Sequence, residues 1–72
     1  MRTIRFEATE FETAREAIEY AGATACGVAI LLDGRHYVVA EETADRLQNA
    51  GVEFAFVAYA ERLGRIVTIP VN

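Results

Sequence analysis

The 72-residue chain has no lysine and no tryptophan, and only one cysteine, one histidine, one proline and one methionine. Each shortage closes off a class of answer. A single cysteine cannot form a disulfide within the chain, and one cysteine with one histidine is too few for a structural zinc site. A domain this small then lacks both common supports of small folds, and oligomerisation is the support that remains. A lone free thiol also suits the cytoplasm better than an oxidising compartment. With lysine absent, all seven basic residues are arginine, against eleven carboxylates, for a net charge of −4. The sequence pI is about 4.8. That acidic balance argues against nucleic acid and anionic membranes as partners, because both reward clustered positive charge. No apolar run reaches the length of a membrane span. Residues 1–10 alternate charged and apolar groups, which is not the pattern of a signal peptide.

What the chain does have is apolar, β-rich sequence. Leu, Ile, Val and Phe make up 20 of the 72 residues, well above the level of disordered chains. One domain over residues 1–72 is expected. Residues 3–8 place Ile4, Phe6 and Ala8 on one side and Thr3, Arg5 and Glu7 on the other, the period of a half-buried strand. Thr9 to Glu12 has the spacing of a capping box and predicts a helix start. Phe11, Ala14, Ile18 and Ala21 then form an apolar stripe, and Gly22 suits a left-handed C-terminal cap. Residues 27–32 and 35–40 are strand-like and flank Asp33-Gly34, a strong hairpin signal. A two-residue turn there pairs Leu32 with Arg35, Ile30 with Tyr37 and Val28 with Val39. A second helix is expected over residues 41–50, with Ala44, Leu47 and Ala50 as its stripe. Strands follow at 52–59 and 65–71, with a turn at 60–64. Pro70 confines the last strand to a sheet edge.

The order β-α-β-β-α-β-β is α+β. Its first six elements match the split βαβ, or ferredoxin-like, arrangement. Right-handed crossovers would give the strand order 5-4-1-3-2, with strand 1 central, the extra C-terminal strand at an edge and both helices on one face. Glu12-Thr13-Ala14 and Glu42-Thr43-Ala44 each introduce a helix followed by a hairpin, so two αββ units packed around strand 1 are the alternative. With both helices on one face, the other face would expose apolar groups, because strands 2 to 5 are apolar on both sides. Such patches usually mark interaction sites. Ala29, Leu31, Val38, Val57, Tyr59, Val67 and Ile69 are the expected interface.

Chemistry is sparse. Cys26 lacks a base close in sequence, and His36 lies beyond the next strand, so neither carries a catalytic expectation. Arg5, Glu7 and His36 are the candidates for binding a polar ligand. The glycines form no phosphate-binding loop. Residues 35–39 lack the basic and aromatic signature that RNA-recognition modules of this strand order carry. Metal-carrying domains of the same order need two closely spaced cysteines. No catalytic residue, metal or cofactor is expected. The leading expectation is a cytoplasmic, non-enzymatic module that self-associates through its β-sheet. The alternatives are a small acidic inhibitor or adaptor docking on a larger protein, and a regulatory domain for a small ligand such as an amino acid.

Overall fold

A computed structural model describes residues 3–24 and 27–71. The elements are β1 (Thr9–Phe11), α1 (Ala14–Ala23), β2 (Gly27–Leu32), β3 (Arg35–Ala40), α2 (Glu41–Asn49), β4 (Phe54–Ala60) and β5 (Arg65–Val71). The five strands form one sheet in the order β1-β3-β2-β4-β5, and every neighbouring pair is antiparallel. The class is α+β.

The β2–β3 hairpin follows directly from Asp33-Gly34. Both residues have positive φ, 53° and 76°, as a type I′ turn requires. The turn sets the register, and Leu32↔Arg35, Ile30↔Tyr37 and Val28↔Val39 pair as the sequence implies. Pro70 lies on β5, which is an edge strand.

The N-terminal segment departs from expectation. Residues 3–8 join no strand, and the short strand β1 follows them, paired along β3. The alternation in 3–8 is nonetheless a burial pattern. Ile4 and Phe6 are half-buried against the core, and the Phe6 ring meets Tyr37 edge-on at 6.4 Å. Period-2 patterning reports which side chains are covered, not whether the backbone finds a ladder partner. Because Phe11 is committed to β1, α1 starts one turn later than the Thr9 signal suggests. Its N-cap is Thr13, whose hydroxyl oxygen accepts from the Glu16 N–H at 3.2 Å and donates to the Glu16 carboxylate at 3.0 Å. Gly22 lies within the helix rather than capping it. The C-cap is Thr24, whose hydroxyl donates to the Tyr20 carbonyl at 3.0 Å. Thr13→Ala should therefore cost about 1 kcal/mol, whereas Thr9→Ala, on an exposed edge, should stay within about 0.5 kcal/mol. Urea unfolding of the two variants checks this, and the reverse ranking would restore the Thr9 cap.

The expected 5-4-1-3-2 order with both helices on one face is not the order found. β4 pairs with β2 instead of with the N-terminal segment, because residues 3–8 offer no ladder. The helices consequently lie on opposite faces. Neighbouring residues on a strand point to opposite sides: Ala29 packs with Ala17 of α1, whereas Ile30 packs with Ala44 and Leu47 of α2. The connectivity explains why. β1-α1-β2 and β3-α2-β4 each cross over one intervening strand in the same direction, but they start from antiparallel strands. Two crossovers of the same hand then put their helices on opposite sides. The two αββ units do sit side by side, joined through β2 and β4. No two-fold axis relates them, since an axis between those strands would keep both helices on one face.

The apolar content of both faces is thereby used within the chain. α1 covers Ala29, Val38 and Val57, and α2 covers Ile30, Val39 and Phe54. The cover thins at β5, where Ile66 and Val71 are only partly buried against the two clusters. β2 and β4 pair at only two positions, Ile30↔Phe56 and Leu31↔Ala55, whereas β4 and β5 pair at seven. The β4–β5 hairpin therefore joins the sheet ladder only near its base, while Val57 and Ile66 pack beneath α1, in a molecule measuring 40 × 22 × 20 Å.

Candidate functional site

The polar residues singled out by the sequence do not form one site. Arg5 and Glu7 lie on the α2 side, where they line an open hollow of about 430 Å³ with Phe6, Thr43 and Arg46. The Arg46 guanidinium donates to the Arg5 backbone carbonyl at 2.9 Å. Its evident role is to tie the N-terminal segment to α2. His36 shares the parity of Val38 and so faces the α1 side, between Phe11 and Leu31 on the flanking strands. Its Nδ1 is buried with no hydrogen-bond partner. The sheet separates it from Arg5 and Glu7. Arg35 pairs with Glu10 at 3.5 Å, but both side chains are mostly exposed, and pairs of that kind contribute little.

Cys26 lies outside the described residues. Among the described residues no group of three or more His, Cys, Asp or Glu is placed to hold a metal, and no helix is long and apolar enough to cross a membrane. On α1, Glu16 is engaged in the N-cap, and Glu19 with Arg15 borders a hollow of only about 100 Å³ over Tyr59 and Ile66. The acidic helix thus has an ordinary solvated face.

The seven expected interface residues divide sharply. Ala29, Val38 and Val57 are buried in the core beneath α1, and Leu31 is half-buried beside them. They cannot meet a partner without displacing the helix. Tyr59, Val67 and Ile69, on β4 and β5, lie where neither helix reaches fully. Tyr59 is 49% and Ile69 54% exposed, and Leu63, at the hairpin tip, is 60% exposed. These are three of the four large apolar side chains exposed in the described residues, the other being Tyr20 on α1, which packs its ring against Phe11 at 5.1 Å. Leu63 was not singled out by its sequence. The available signal was an apolar residue inside a turn, between Arg62 and Gly64, where packing does not call for one.

Charge also separates along the chain. Residues 3–53 carry ten carboxylates against four arginines, while the β4–β5 hairpin carries Arg62 and Arg65 against Glu61. The hairpin is the apolar, slightly basic end of an otherwise acidic molecule. No family model, curated protein or solved structure matches the chain.

Proposed function

We propose that this chain is a non-enzymatic interaction module that associates with a second copy of itself through the β4–β5 hairpin. One observation carries the reading: three of the four exposed large apolar side chains in the described residues, Tyr59, Leu63 and Ile69, lie on the β4–β5 hairpin. Tyr59 faces the α1 side and Ile69 the α2 side of the hairpin, and burying exposed apolar area of either in an interface recovers roughly 25 cal/mol per Å². The small core supports the same reading, since a chain this short covers only about 60% of its unfolded surface. A cytoplasmic location goes with it, where an unpaired thiol persists.

Light scattering across a concentration series tests the proposal. A dimer or larger species is expected, and Ile69→Asp should return it to a monomer with an unchanged far-UV spectrum, because Ile69 is already half in water. A wild-type chain that stays monomeric at high concentration would sink the reading and favour a surface kept for a different protein, as in the inhibitor or adaptor alternative.

A further inference from the structure

We infer that two copies join edge to edge along β5, antiparallel about a two-fold axis at Thr68, so that their sheets merge into one. The inference rests on the self-association proposed above and specifies its geometry. A two-fold axis between two adjacent strands runs perpendicular to the sheet and makes the strands antiparallel, and closed two-fold pairing is the commonest form of homo-oligomer. The sheet has two open edges. β1 offers three residues, whereas β5 offers seven.

The direction of the backbone groups on β5 can be worked out strand by strand, because they alternate between the two sides. The two-residue turn makes Leu32↔Arg35 a hydrogen-bonded pair, so Leu32, Ile30 and Val28 bond toward β3, and Leu31 bonds toward β4. Leu31 pairs with Ala55, so Phe54, Phe56 and Ala58 bond toward β5. Their partners Val71, Ile69 and Val67 are thereby satisfied inside the hairpin. Ile66, Thr68 and Pro70 turn their backbone groups to the open edge. The proline gives an independent check, since it has no N–H and is tolerated in a strand where its nitrogen faces outward.

An axis at Thr68 uses both strand donors that this edge retains. Each Thr68 N–H meets the Thr68 carbonyl of the second copy, and each Ile66 N–H meets the Pro70 carbonyl of the second copy. The missing proline donors are the only vacancies. In the same register Val67 lies opposite Ile69 of the second copy, twice over, which covers the most exposed apolar side chain of either strand. Charge favours the arrangement as well. Running antiparallel, the Arg62–Arg65 tip of each hairpin extends toward the acidic body of the other copy, where residues 3–53 hold ten carboxylates against four arginines.

Thr68→Pro is the test. The Thr68 nitrogen faces outward, so the substitution leaves the β4–β5 ladder intact and removes only the central donors of the proposed pairing. The dimer dissociation constant, measured by light scattering or sedimentation, should rise about 10- to 100-fold through two lost hydrogen bonds, with the far-UV spectrum of the wild type retained. A folded Thr68→Pro variant that dimerises as tightly as wild type overturns the edge pairing while leaving self-association standing. A wild-type monomer removes both. Should the variant fail to fold, amide exchange of the wild-type chain decides. The Ile66 and Thr68 amides should be protected at high concentration and exchange freely on dilution, and free exchange in the dimer would overturn the inference.

Discussion

Ala29→Asp and Ile30→Asp are each expected to unfold the chain at 25 °C, although the two positions are adjacent on one strand. Ala29 is 5% exposed and Ile30 fully buried. A carboxylate at position 29 would enter a layer made of Ala17, Val38 and Val57. At position 30 it would enter a layer made of Val39, Ala44, Leu47 and Phe54. The buried residues of both clusters are all apolar. An unpaired buried charge costs several kcal/mol even after relaxation, while a 72-residue chain has about 4–11 kcal/mol of stability in total. The double result is what distinguishes this fold. In a sheet covered by helices on one face only, one of any two successive residues points to water and tolerates Asp. Far-UV circular dichroism and one-dimensional proton NMR of the two variants are sufficient. A native spectrum for Ala29→Asp would remove α1 from the face assigned to it, and a native spectrum for Ile30→Asp would do the same for α2.

The same two residues show how far the sequence could be read. The hairpin carrying them was legible down to its register, because Asp33-Gly34 admits essentially one turn geometry and that turn fixes every pair. Apolar content on both sides of β2 and β4 was equally plain. Its meaning was not, since the pattern has two physical solutions: an exposed interaction face, or a sheet buried between two helical layers. The choice depends on which strand β4 pairs with, and that is a long-range question no local pattern answers. The N-terminal segment misled for a related reason. Ile4 and Phe6 alternate because one side packs over Tyr37 and the α2 layer, and the alternation looks identical whether or not a ladder forms. The error carried through to the candidate site. Arg5 and His36 come together only if residues 3–8 lie in the sheet beside the hairpin on a shared face. Once that segment leaves the sheet, the two residues fall on opposite sides. Tyr59 and Ile69 kept their accessibility because the apolar strand at the C-terminal end exceeds what two short helices can cover, and Val67 is half-buried.

Leu47→Ala is expected to cost about 2–5 kcal/mol, the range for a fully buried leucine. The reason lies in how little else holds α2. The helix has nine residues, too few to persist alone in water. Its N-cap is Ala40, which makes no side-chain capping bond, so the acidic residues Glu41 and Glu42 in the first turn supply only the modest dipole contribution of exposed charges. Only Ala44 and Leu47 of the helix are buried, and Leu47, at 1% exposure, is the only large side chain of the two. Removing it opens a void among Ile30, Val39 and Phe54 and leaves the helix with little reason to dock. The loss should spread, because the N-terminal segment is tied to α2 through Arg46 and the Arg5 carbonyl. Once α2 lifts away, one face of β2 and β3 is open to solvent, so the variant should also aggregate at concentrations where the wild type forms a defined species. Leu63→Ala serves as the comparison, since that side chain sits at the hairpin tip and its loss should change stability by no more than about 0.5 kcal/mol. Urea unfolding of both variants at low protein concentration, where association does not contribute, measures the difference. A Leu47→Ala cost near that of Leu63→Ala would mean that α2 is held by its connections to β3 and β4 rather than by its packing, and that the second helical layer is not a structural requirement of the sheet.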